Sequence, residues 1–200
     1  MKLPFTPSFS RTLALLGLLG FSGAAAAQTA PLDLARGALQ ARTQALGLKA
    51  TDVSDPAVTN SFTDEHSGIT HVYLRQRHQG VEVYNAMADV HLAPTGKVVS
   101  LNSRFVSNMA ALARPATPGL SPEQAVGAAA RSLGLPAPSG LRLQKAGAAA
   151  AGMEFSNGGI SLERIPVKLM YLPMPSGELR LVWDVSIYPR HQRNYWSVRV

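Results

Sequence analysis

Residues 71–86 read HVYLRQRHQGVEVYNA, and the chain runs on to PTGKVVSLNSRF at 94–105. From residue 69 to 78 the pattern alternates. Val72 and Leu74 fall on one face, while His71, Arg75 and Arg77 fall on the other, with Tyr73 on that polar side. Period-two alternation of this kind predicts a strand buried on one face only. Gln79-Gly80 follows as a tight turn, with glycine free to take the positive φ that two-residue hairpins require. A second strand is expected over 81–92. Val81 and Val83 share a face before Asn85-Ala86, and Ala86, Ala88, Val90 and Leu92 share one after it. That change of parity is what a one-residue bulge produces. Pro94-Thr95-Gly96 turns the chain again into a third strand over 98–105, completing an antiparallel meander.

Working outward, residues 32–48 (LDLARGALQARTQALGL) carry a helical stripe of Leu32, Ala35, Leu39, Arg42 and Leu46 with the intervening alanines, interrupted by Gly37 and closed by Gly47. This helix is expected to cover one side of the meander. Residues 51–68 are polar, contain Pro56 and keep no period, so they read as a loop with at most one short strand. Residues 107–119 (SNMAALARPATPG) read as a linker. Then Ser121, Pro122 and Gln124 form an N-cap, a first helical position and a capping box. The helix face behind them is Ala125, Val126, Ala129, Ala130 and Leu133, ended by Gly134. A strand is expected near 141–145, an exposed loop over the alanine-glycine block 146–152, and strands over 166–174 and 179–187. In the last of these Leu179, Leu181, Trp183, Val185 and Ile187 alternate with polar residues. A one-residue slip would turn all five into water, so its register is firmly specified. A final strand over 194–200 places Trp196, Val198 and Val200 on one side.

The two halves echo one another. TQALGL at 43–48 and ARSLGL at 130–135 each close a helix. YLRQRHQGVEVYNA (73–86) and YLPMPSGELRLVWD (171–184) both run strand, glycine turn, strand. These pairs read as a weak repeat of one helix-plus-sheet unit, weighed against the grammar that any two small α+β units share.

The N-terminus has the layout of an export signal: Lys2 and Arg11, a ten-residue apolar run at 12–21, then a block of small residues. Ala25-Ala26-Ala27 fits the small-x-small rule and places cleavage between Ala27 and Gln28. The apolar run is shorter than the roughly 20 residues of a membrane span. Removal of residues 1–27 takes the formal charge from +7 to +5, because Lys2 and Arg11 leave. The remaining basic residues are scattered, without the clustering or interleaved aromatics of a nucleic-acid surface. The sequence has no cysteine, so an exported form must rely on packed cores and not on disulfides.

No residues are spaced for catalysis. A zinc peptidase needs H-E-x-x-H, two histidines one helical turn apart with a carboxylate beside the first. None of His66, His71, His78, His91 and His191 has that spacing. A cross-strand metal site on His71, His78 and His91 is weighed against a plainer reading, since strand histidines without a supporting carboxylate usually stand as solvated surface. The plainer reading is preferred, and no metal, cofactor or catalytic residue is assigned. There is no G-x-S-x-G elbow, phosphate-binding glycine loop or catalytic cysteine.

Taken together, Tyr73, Gln76, Gly80, Val83, Tyr84, Asn85, Ala86, Val90, Gly96, Lys97, Val98, Val99, Ser100 and Phe105 resemble the propeptide motif of fungalysin/thermolysin-type zinc metallopeptidases. Ala93 departs from it, since an acidic residue usually opens that turn. The second half, with its capped alanine-rich helix and LRLVWDV at 179–185, is similar to a PepSY-type unit. The resemblance implies an α+β fold of two cystatin-like modules, each a helix packed on an antiparallel sheet. The expected divisions are a signal peptide at 1–27, a propeptide-motif module at 28–106, a linker at 107–119 and a PepSY-like module at 120–200 that ends short of its family's usual turn.

It also implies a secreted or periplasmic protein, non-catalytic in itself, that inhibits and helps to fold a zinc metallopeptidase catalytic domain, in cis or in trans. Zinc would then belong only to that partner, with no nucleic acid bound and no membrane attachment after signal cleavage. The final strand, at Trp196, Val198 and Val200, is the expected partner contact. Either the chain belongs to a longer precursor, or it is a freestanding exported module that inhibits or regulates proteases.

Overall fold

The computed structural model describes residues 23–113, 117–191 and 193–200, with side chains from residue 30 onward. The fold is α+β. The elements are α1 (Gly23–Ala41), a short 3-10 turn (Ala50–Val53), β1 (Ala57–Thr63), β2 (Thr70–His78), β3 (Val81–Leu92), β4 (Val98–Ser103), α2 (Met109–Leu112), α3 (Pro122–Ser132), β5 (Leu143–Lys145), β6 (Met153–Phe155), β7 (Ile165–Pro173), β8 (Leu179–Ile187) and β9 (Trp196–Arg199).

The meander forms as read. β1, β2, β3 and β4 pair antiparallel in chain order. Val72, Leu74, Ala88, Val90 and Leu92 point inward and are essentially buried. Against them α1 lays Ala35 and Leu39, one turn apart and fully buried. Gln79 (φ 50°) and Gly80 (φ 79°) are both left-handed, the pair of values a type I′ hairpin needs.

Three expectations about this half change. The helix begins at Gly23 and ends at Ala41, not over 32–48, and it runs through Gly37 without a break. Residues 42–47 form turns instead. Here the Thr43 hydroxyl donates to Gln40 O at 2.6 Å, competing for a helix carbonyl as threonine does. The polar segment, read as a loop with at most one short strand, holds one that is longer, seven-residue β1, an edge strand mostly exposed and so without apolar alternation. The third strand of the meander stops at Ser103, after which Phe105 folds into the core.

The bulge in β3 is larger than expected. From Arg75 to Arg77 β2 advances two residues while β3 goes from Met87 back to Glu82, which is five. Three additional residues loop out, and an odd number gives the same change of parity as one. Asn85 makes this possible at φ 57°. Beyond the loop-out β3 stays paired with β2 (Arg77↔Glu82, His78↔Val81), and on its other edge it pairs parallel with β7 at Glu82↔Met170 and Val83↔Tyr171.

β7 is the hub of the second meander, β5-β6-β7-β8-β9, all antiparallel. α3 covers it with Ala125, Val126, Ala129 and Ala130, all fully buried against Phe155, Ile165, Trp183, Val185 and Ile187. The capping box is present: Gln124 N donates to Ser121 Oγ at 3.2 Å and Ser121 N donates to Gln124 Oε1 at 2.8 Å. A cap of this type stabilises a helix by about 1 kcal/mol. The echo between the halves extends to the backbone. Leu48 N donates to Thr43 O and Leu135 N to Ala130 O, each at 2.9 Å, around left-handed Gly47 and Gly134.

One nine-stranded mixed sheet therefore spans both halves, above two main hydrophobic clusters, each with its own helix. A smaller cluster of Val83, Ala86, Met109, Tyr171 and Leu179 fills the seam between them. The segment read as a linker, residues 107–119, contributes to it. α2 buries Met109, and Ala113 bridges to Leu179.

Candidate functional site: a propeptide-motif scaffold and an open sheet edge

The motif residues do not converge on one cavity. Gln76 is fully buried under the meander. Its amide donates to Asp52 O (3.1 Å) and Val106 O (2.8 Å), and its oxygen accepts from Val106 N (2.7 Å). Buried backbone groups must be paired, and this one side chain satisfies three of them. Asp52, which the sequence reading missed, works beside it. Its carboxylate is 2% exposed and accepts from Lys49 N and Asn108 N, each at 2.8 Å, and from Met109 N at 3.1 Å. Together Asp52 and Gln76 fasten the 3-10 turn and the start of α2 to β2.

The other motif positions also shape backbone or fill space. Gly80, Asn85 and Gly96 all take positive φ, and a Cβ on Gly96 would come within 3.1 Å of Leu34. Val83 fills the seam cluster and Phe105 the first core. Tyr84 reaches across the seam: the Arg199 guanidinium lies 4.1 Å from its ring centroid and donates to its hydroxyl at 3.2 Å. Arg199 also pairs with Asp184 at 3.2 Å. Glu82 bridges the same seam, receiving Arg75 at 2.7 Å and Lys168 at 3.0 Å. Burial alone would push its carboxyl up, but the hydrogen bonds from Arg75 and Lys168 outweigh burial and hold it below the usual carboxylate range.

Tyr73 lies on the outer face of the meander. There Phe62 stacks on His71 at 4.9 Å, and Tyr73 approaches Phe62 and His91 at 6.3 and 6.4 Å. His71 and His91 face each other directly across β2 and β3, while His78 lies apart, against Tyr171. No group of three or more His, Asp or Glu side chains among the described residues is arranged to hold a metal ion.

The expected partner contact lies on β9, which pairs with β8 along one side. Trp196 is 39% exposed, whereas Val198 and Val200 pack partly against the second core. Most of the expected signal peptide, and with it the apolar run, lies outside the described residues. The cleavage pair Ala27 and Gln28 falls on the α1 backbone, among residues whose side chains are not described. Among the described residues no helix is long and apolar enough to cross a membrane.

Residues 55–105, which enclose β1 to β4, match the Fungalysin/Thermolysin Propeptide Motif. Over 138 residues the chain is 31% identical to Extracellular metalloproteinase 10 of Coccidioides posadasii, covering 66% of this chain and 21% of that protein. It is 30% identical over 137 residues to Extracellular metalloproteinase 1 of Arthroderma gypseum. It is 29% identical over 137 residues to Extracellular metalloproteinase mep of Aspergillus terreus. In these last two it covers 66% of this chain and 22% of the relative. The matches thus span about a fifth of the length of the relatives. The segment that builds the first meander, residues 55–105, is thus similar to the fungalysin/thermolysin propeptide motif, and it is there that the likeness to these relatives is anchored.

Proposed function

We propose that this chain is the propeptide of a fungalysin-like zinc metallopeptidase, acting as inhibitor and folding assistant and carrying no catalytic residues of its own. The observation that carries this reading is the propeptide motif at 55–105, within a match to extracellular metalloproteinases that covers 66% of the chain but only 21–22% of the relatives. The motif side chains support it. They are spent on turns, buried hydrogen bonds and core packing, and they point no nucleophile, acid or base at a common centre.

The partner is a zinc metallopeptidase catalytic domain, in cis or in trans. A covalent tether raises effective concentration, so the contact surface need not bind tightly by itself. The docking edge is β9, with Trp196, Val198 and Val200. An extended partner segment can add to such an edge through backbone hydrogen bonds. Two helix-on-sheet units of cystatin kind, over 28–106 and 120–200 and joined by 107–119, fit the two core clusters and the matching helix closures at Gly47 and Gly134. The second is read as PepSY-like. Export with cleavage between Ala27 and Gln28 would leave Pro31 in the first turn of α1, where a missing N–H costs nothing.

The test is direct. The purified chain is added to a fungalysin-type catalytic domain at micromolar concentration and hydrolysis of casein is followed. The expected result is a dose-dependent slowing, together with a higher yield of active enzyme when the catalytic domain is refolded in its presence. Unchanged rate and unchanged yield would refute the proposal, as would chelator-sensitive casein cleavage by the chain alone.

A further inference from the structure

We propose that His71 and His91 form a binding site for a borderline divalent transition ion, such as Zn²⁺ or Cu²⁺, on the outer face of the first meander. The two residues are register partners on β2 and β3. Their Nδ1 atoms are 2.6 Å apart, and the rings meet edge to face at 4.6 Å. Two imidazole nitrogens brought side by side are the donor set that suits these ions, whereas hard cations prefer oxygen.

The supporting carboxylate is present in the fold. Asp89 Oδ2 lies 3.3 Å from His91 Nε2 and is itself held by Asn102 Nδ2 at 2.8 Å. The nearby negative charge favours the ring proton on the far nitrogen and leaves the near nitrogen as a lone pair, the effect that a carboxylate has behind most metal-binding histidines. His91 Nδ1 is therefore the acceptor in the pair and His71 Nδ1–H the donor. When an ion binds, that proton passes to His71 Nε2, so His71 remains neutral and both Nδ1 lone pairs face the metal. Bonds of about 2.0–2.1 Å at a tetrahedral angle require ligand atoms about 3.3 Å apart, so the rings must separate by about 0.7 Å. One side of His71 is covered by the Phe62 ring, stacked at 17°. The His91 side chain remains 22% exposed, which leaves an opening for the ion and for the water that would complete its shell.

Titration of the untagged chain with Zn²⁺ or Cu²⁺ alone, followed calorimetrically, tests the site. One equivalent should bind saturably. His71→Ala and His91→Ala should each weaken binding at least about tenfold, and Asp89→Asn about tenfold. His78→Ala should leave it unchanged, and Mg²⁺ should not compete. Nitrogen-15 spectra of the folded wild type locate the ion without relying on any variant: Nδ1 of both His71 and His91 should shift on binding. Absence of saturable binding, persistence of full affinity in a folded His71→Ala,His91→Ala chain, or a shift confined to other histidines would each overturn the proposal.

Discussion

Asp52→Ala should be among the most destabilising single changes outside the apolar cores. Its carboxylate receives three backbone N–H groups, from Lys49, Asn108 and Met109, and no other side chain takes them over. A hydrogen bond to a charged group contributes about 1.5–3 kcal/mol, and a buried donor left bare costs the same order. Met109 N is buried, whereas the bonds from Lys49 and Asn108 are only partly so, and there water will replace part of what is lost. The sum is about 3–4 kcal/mol. For a chain of this size each kcal/mol moves the midpoint by about 2–4 °C, so a fall of about 10 °C is expected by calorimetry. Asp55→Ala is the control. Asp55 pairs with Arg77 at the surface with its side chain 62% exposed, and surface pairs contribute about 0–1 kcal/mol. Hydrogen exchange adds a local reading, because the amides of Asn108 and Met109 should lose protection first. A drop below 2 °C for Asp52→Ala, or one equal to that of Asp55→Ala, would refute the claim that this carboxylate fastens α2 to the first unit.

Asn85→Val should cost about 1–2 kcal/mol, because a β-branched residue is forced into the left-handed region, whereas Asn85→Gly should be close to neutral. Equal midpoints for the two variants would mean that the loop-out does not depend on this φ. The Glu82 carboxyl is held below its ordinary value in the folded state. Its contribution is therefore complete above about pH 4.3, the unfolded value, and is lost as pH falls through the lower folded value. Glu82→Gln should flatten the acid limb of stability against pH just below pH 4.3, and an unchanged slope there would count against the Arg75–Glu82–Lys168 bridge. Trp183→Phe removes the indole bond to Leu120 O at 2.9 Å and some buried area. A loss of about 1–2 kcal/mol in urea unfolding is expected, and a neutral result would show that the 117–121 approach to α3 is not anchored there.

The elements legible in the sequence are those with a one-sided environment. β8 alternates because one face meets α3, and the hairpins are marked because Gly80, Gly96 and Gly177 must take positive φ. The α3 boundary is written in the Ser121–Gln124 box itself. β1 was hidden because it is an edge strand with little to bury. The seam was hidden for another reason. It rests on two register pairs, Glu82↔Met170 and Val83↔Tyr171, and a parity change cannot distinguish one extra residue from three. Asp52 looks like any acid in a polar loop until the fold brings residues 49 and 108–109 to it. The histidine pair needed the β2–β3 register, and its carboxylate, two residues from His91, became visible only when Asp89 and Asn102 were found side by side.

The seam also decides how a contact at one end of the sheet can be felt at the other. β9 is attached to the second unit by its pairing with β8, but its Arg199 also reaches Asp184 on β8 and Tyr84 on β3. Tyr84 adjoins Val83, which pairs with Tyr171, and Glu82, which is held by Lys168. A segment added to the outer edge of β9 would restrain Arg199, and through it the only stretch of β3 that belongs to both halves. Interiors are close-packed and transmit strain, so the route from β9 to the first meander runs through side chains that are already in contact. The motif positions Val83, Tyr84 and Asn85 lie on that route. In this fold Val83 and Tyr84 help to couple the two helix-covered units, whereas Gln76, Gly80, Gly96 and Phe105 shape the first one.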